Sequence, residues 1–186
     1  MIILGLDPGI ARLGWGVIHK TQNTPVPESF GLGTGQAKTR KQHRFGAVAY
    51  GTISTEKNLP FPKRLMTIKK ELQQLLKKYK PNLVAVEKLY FAKNVKTAMM
   101  VGEARGAIML TLAEANVIIT EYTPLQVKQA MTGYGAANKK QIQYMVQTLL
   151  SLPSAPKPDD TADALAIALT AAQSYRITHL SRKTRT

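Results

Sequence analysis

The chain has 186 residues, 44% of them hydrophobic, which is enough for one globular domain with a substantial core. It has no cysteine and three scattered histidines (His19, His43, His179), so a disulfide framework, a thiolate metal site and a zinc cluster are excluded as readings. Lys and Arg total 26 against 11 acids, a formal +15, so the partner to expect is a polyanion, with nucleic acid foremost. Ile2 to Asp7 is an apolar run without a basic flank or cleavage site, and it reads as a first strand rather than a signal peptide. No apolar stretch reaches the roughly 20 residues of a membrane span, and no helix has the aromatic-rich face of a membrane anchor. The expected setting is cytoplasmic.

Residues 2–7, Gly14 to Lys20 and Gly46 to Thr55 are aliphatic, β-branched and punctuated by glycine, and they predict three antiparallel strands. The first connection is a tight Pro8-Gly9 turn. Thr21 to Phe45, with Lys38, Arg40, Lys41 and Arg44, predicts an inserted basic loop that is mobile without DNA. Phe61 to Tyr79 repeats Leu65, Ile68, Leu72, Leu75, Leu76 and Tyr79 at helical spacing. Asn82 to Glu87 predicts a buried strand, and 94–116 a helix whose Met99, Met100 and Met109 serve packing. Val117 to Tyr122 is a further strand. Leu125 to Met131 and Lys139 to Leu150 are helices parted by Gly133-Tyr134-Gly135. After the break from Pro153 to Pro158, Asp159 to Tyr175 forms a last helix, and 176–186 a frayed basic tail. The sum is one α/β domain over residues 1–175 with a mixed sheet of about five strands flanked by helices.

Carboxylates beside apolar runs stand out, because an ionised group there is costly without a purpose. Asp7 closes the first strand and Glu87 the Leu83-Val84-Ala85-Val86 strand. Asp160 and Asp163 share one face at the start of the last helix. Each has an ordinary alternative: a turn residue, a strand end, a helix cap or first-turn acid. If the first and fourth strands are parallel neighbours, Asp7 and Glu87 converge and the last helix places its acids over them. Such a cluster requires cations. Hard oxygen ligands select Mg²⁺, with Mn²⁺ as substitute, and two ions about 4 Å apart suit in-line phosphodiester hydrolysis.

The motifs resemble the RuvC family of Holliday-junction resolvases. Ile3-Leu4-Gly5-Leu6-Asp7-Pro8-Gly9 with Gly14-Trp15-Gly16-Val17-Ile18 is similar to its first hairpin. Ala85 to Asn94, Gly102-Glu103-Ala104-Arg105-Gly106, Val127-Lys128-Gln129 with Gly133 to Lys139, and Asp160-Thr161-Ala162-Asp163-Ala164 follow in the family's order. The resemblance spans residue 3 to about 170. It implies a ribonuclease H-like fold and a homodimer with two active sites. It also implies paired symmetrical nicks that leave 5′-phosphate, ligatable ends, and partnership with the RuvA-RuvB branch-migration complex. It assigns Asp7, Glu87, Asp160 and Asp163 as catalytic metal ligands, and Lys128 and Lys139 as catalytic lysines near the scissile phosphate. Tyr90 becomes the aromatic that stacks on an unpaired base. Lys93, Arg105 and Lys140 join Tyr90, Lys128 and Lys139 as expected DNA contacts. The 21–45 segment is longer and more basic than the family pattern suggests. Rival readings are a sugar-kinase-like ATPase, for which the chain is too short, a non-catalytic binding module, which need not keep every acid, and a YqgF-type relative acting on RNA, against which Glu87 to Asn94 and the lysines argue.

Overall fold

In the computed structural model the described residues are 1–21, 45–88 and 95–183, with the backbone alone described at 95–97 and 175–183. The elements are β1 (Ile2–Asp7), β2 (Arg12–Lys20), β3 (Phe45–Ser54), α1 (Phe61–Tyr79), β4 (Leu83–Glu87), α2 (Val95–Glu114), β5 (Ile118–Tyr122), α3 (Pro124–Thr132), α4 (Lys139–Leu150) and α5 (Asp159–Lys183). One five-stranded sheet runs in the order β3-β2-β1-β4-β5. β1 pairs antiparallel with β2, and β2 with β3. β4 lies parallel to β1 and to β5. The expected mixed sheet and the order of helices are present, with α5 extending past Tyr175 to Lys183. The basic loop, apart from its ends at residues 21 and 45, and both Tyr90 and Lys93 lie outside the described residues.

Alternation along the strands divides the core into two layers. Leu4 and Leu6 of β1, with Val84 and Val86 of β4, face α1 and α2, where Ile68, Leu72, Ala104, Ile108 and Leu112 meet them. Ile3, Leu83 and Ala85 point to the other face and pack under α3, α4 and α5. Asp7 and Glu87 have the parity of this second set, so both carboxylates rise on the side that α5 covers.

α5 sits unusually close to the sheet. A Cβ on Gly5 would come 2.1 Å from the Ala164 carbonyl oxygen, and one on Gly14 would come 2.1 Å from that of Asp160. Only glycine lets the helix backbone approach β1 and β2 in this way. From Ala164 to Ala172 nearly every α5 side chain is buried, which fixes the helix in place. α3 and α4 each begin with a reciprocal cap, Thr123 with Gln126 and Asn138 with Gln141, so their first turns are rigid.

Candidate active site

The parallel register sets Leu6 beside Val86, and the next residues, Asp7 and Glu87, hydrogen bond side chain to side chain at the carboxyl ends of β1 and β4. α5 starts above them and contributes Asp160 and Asp163. All four expected acids therefore meet at one edge of the sheet. Burial, and then the charges of Glu87, Asp163 and Asp160, push the Asp7 carboxyl up to about 8. Glu87 is also raised, by burial and by Asp163, while the bond to Asp7 pulls it back. Asp163 is raised by burial against the attraction of Lys139. Without cations the cluster thus keeps a proton near neutrality, as close carboxylates must.

Lys139, the first residue of α4, reaches between two acids, with Nζ 3.2 Å from Asp159 Oδ2 and 3.3 Å from Asp163 Oδ2. Burial alone would lower this ammonium, but the Asp163 and Asp159 carboxylates outweigh it and raise it. Asp159, exposed, is held below its ordinary value by Lys139 and accepts a 3.0 Å hydrogen bond from Gln143 Nε2. A cleft of about 260 Å³ is lined by Glu87, Lys128, Asn138, Lys139 and Asp163, so the two expected lysines share the acids' cavity. Among the described residues no three of these side chains are gathered tightly enough to chelate one ion as they stand. Asp163 leans to Lys139 and Asp160 to Arg12, with 3.9 Å between Asp160 Oδ2 and Arg12 Nη1.

Two expected DNA contacts sit elsewhere. Lys140 turns to a different groove with Met131, Asn138 and Tyr144. Arg105 is bound to Glu121 of β5, so its charge is used to fasten α2 to the sheet. Arg12 and Lys157, both beside the cluster, were missed by sequence reasoning, whereas Asp159 was the alternative to Asp160 that the spacing to Asp163 disfavours. The available signal for Arg12 was its position just after the Pro8-Gly9 turn, which returns the chain to the Asp7 edge.

A mixed sheet with two acids at the ends of adjacent parallel strands and two more on a covering helix defines a ribonuclease H-like nuclease. The family model described as crossover junction endodeoxyribonuclease RuvC matches residues 25–171, which takes in Glu87, Lys128, Lys139, Asp160 and Asp163. A relative from Alkaliphilus oremlandii with the same description is 47% identical over 180 residues, covering 97% of this chain and 98% of its own, and so takes in nearly the whole length. One from Brevibacillus brevis is 50% identical over 173 residues, 93% of this chain and 92% of the relative. The solved structure of T. thermophilus RuvC in complex with Holliday junction substrate superposes with a TM-score of 0.81 at 33% identity, covering 96% of each chain. The chain belongs to the RuvC family. It is accordingly a nuclease that acts on four-way DNA junctions in recombination and repair, in a family that depends on divalent metal. No helix among the described residues is long and apolar enough to cross a membrane.

Proposed function

We propose that the chain cuts opposing strands of a four-way junction at symmetrical positions as a homodimer, with Asp7, Glu87, Asp160 and Asp163 holding two Mg²⁺ ions per site, Mn²⁺ substituting. The observation that carries this reading is the Asp7–Glu87 pair under α5: hard oxygen donors alone, half-buried, joined side chain to side chain, with both carboxyls raised by burial and by their acidic neighbours. The donor set fits a hard divalent ion. Such ions, when bound, supply Lewis acidity at the phosphate and activate water for in-line attack.

The chain's own residues do the rest. Lys139 and Lys128 project into the acidic cleft from α4 and α3, where they offer positive charge to the non-bridging oxygens as the phosphorane-like charge develops. The capping box at Asn138 fixes the first turn of α4, which carries Lys139, and that at Thr123 fixes the start of α3, one turn before Lys128. Exposed Met99 and Leu110 on α2 support a second copy packing there. Family membership supports Tyr90 as a stacking aromatic, Lys93 as a phosphate contact, the RuvA-RuvB complex as partner and a cytoplasmic setting.

The test is strand cleavage of a synthetic four-way junction beside a linear duplex of the same sequence, with Mg²⁺ and with EDTA. Paired symmetrical nicks on the junction alone, lost in EDTA, are expected. Cutting of both substrates alike, or cutting that persists in EDTA, would remove the reading.

A further inference from the structure

Beside the acidic cleft lies a second, of about 700 Å³, lined by Arg12, Lys139, Lys157, Pro158, Asp159 and Asp160. Lys139 lines both, so the two are contiguous across one side chain. Three cations from three parts of the chain converge here: Arg12 at the start of β2, Lys139 at the start of α4, and Lys157 ahead of α5. Its two acids are already engaged. Asp159 takes Lys139 at 3.2 Å and the Gln143 amide at 3.0 Å, and Asp160 faces Arg12 at 3.9 Å.

Arg12 is exposed, yet the backbone leading into it is anchored. The Ile10 carbonyl accepts from Thr55 Oγ1 at 2.6 Å and from Arg64 Nη2 at 3.1 Å, while Arg64 Nε donates to Thr55 Oγ1 at 2.9 Å. The Thr55 N–H donates to the Ala11 carbonyl at 3.1 Å. Arg64 is a buried guanidinium whose partners here are a hydroxyl and a carbonyl, and its role is to brace the loop that presents Arg12. The guanidinium of Arg12 itself is held loosely, since a 3.9 Å contact between partly exposed groups is weak. A phosphate, offering two oxygens to a planar fork, is the better partner.

We infer that the cleft of Arg12, Lys139 and Lys157 is a second phosphate seat, which takes the backbone phosphate next to the scissile one on the cut strand. This rests on the junction-cutting reading above. A strand whose scissile phosphate meets Lys128 and Lys139 carries its neighbouring phosphate across Lys139 to Arg12 and Lys157. The seat fixes the strand's register over the acids without reading any base.

The experiment is equilibrium binding of a labelled four-way junction in EDTA across about 50 to 200 mM salt, for the wild type, Arg12→Ala/Lys157→Ala, Arg12→Lys, and the charge-matched control Lys70→Ala/Lys77→Ala on exposed α1 positions. The paired variant is expected to bind roughly three- to tenfold more weakly, with the log–log salt slope smaller by about one. Arg12→Lys and the α1 control should keep the wild-type slope. A methylphosphonate at one of the two phosphates flanking the cut should weaken the wild type and leave the paired variant unchanged. If that variant is as sensitive to neutral flanking phosphates as the wild type, or if the slope drops as much in the α1 control, the seat is wrong while junction binding stands. A wild type that binds junction no better than duplex would sink the underlying reading and the seat with it.

Discussion

Asp7 joins the electrostatics of the site to the stability of the fold. Its carboxyl moves from an ordinary 3.8 to about 8, so between those values the folded chain holds a proton that the unfolded chain has released. Stability contributed by this group is therefore full below about pH 4 and is lost as pH rises toward 8. In EDTA, the melting temperature of wild type relative to Asp7→Asn should fall from pH 5 to pH 8, and Mg²⁺ should reverse the fall. A wild-type-minus-variant difference that is flat with pH would show that Asp7 is not protonated in the fold. The same substitution, or Glu87→Gln or Asp163→Asn, should lower junction cleavage by on the order of 10³-fold or more while binding stays close to wild type, because the acids hold metal and the basic surface holds DNA. Full cleavage by any of the three removes that residue from the site. Lys139 is a different case, since its ammonium acts on charge that grows in the transition state. Lys139→Ala should lower kcat by about 10²-fold with a smaller change in KM, read in single-turnover assays.

At the scale of elements, the site is a consequence of how closely α5 lies on β1 and β2. Gly14→Ala sets a methyl 2.1 Å from the Asp160 carbonyl oxygen, a backbone atom that cannot rotate away. The helix must lift, at a cost of about 1–3 kcal/mol or more, and it carries Asp160 and Asp163 with it. Cleavage should drop sharply while a chemical melt still shows one cooperative transition; unchanged cleavage would mean that the helix position does not set the metal geometry. Much of this was legible in the sequence. The strand-end positions of Asp7 and Glu87 and the Asp160–Asp163 spacing imply the convergence once the first and fourth strands are parallel neighbours, and the β1–β4 pairing supplies that condition. The glycines were visible as strand punctuation, but their function as a bed for α5 depends on a long-range packing distance that no local pattern encodes. Arg105 shows the same limit. Its position suits a DNA contact, yet the fold brings it to Glu121, and that pairing joins two elements far apart in character. The sequence pattern sets the end of α5 at Tyr175, whereas the helical backbone continues to Lys183.

For the whole molecule, an acidic cleft on a chain of formal charge +15 separates cutting from holding: acids for metal, lysines and arginines for DNA. The segment between β2 and β3 tests that division. It contributes Lys38, Arg40, Lys41 and Arg44 to the positive field. Its ends are cross-strand partners, Lys20 opposite Phe45, so the hairpin can be closed by an Asn-Gly turn in place of residues 21–44 with the sheet left in register. The shortened chain keeps all four acids together with Lys128 and Lys139, so its dependence on Mg²⁺ concentration should match that of the full chain. Binding is expected to behave otherwise. If the four cations meet phosphate, the junction Kd rises and the log–log salt slope falls by about 0.9 for each phosphate no longer neutralised. A deletion that leaves the slope unchanged would assign the segment's charge to bulk solvent and leave the +15 field to the folded body. A change in metal dependence would instead tie the segment to the acids, since a remote phosphate contact acts on how tightly DNA is held and not on how the carboxylates bind their ions.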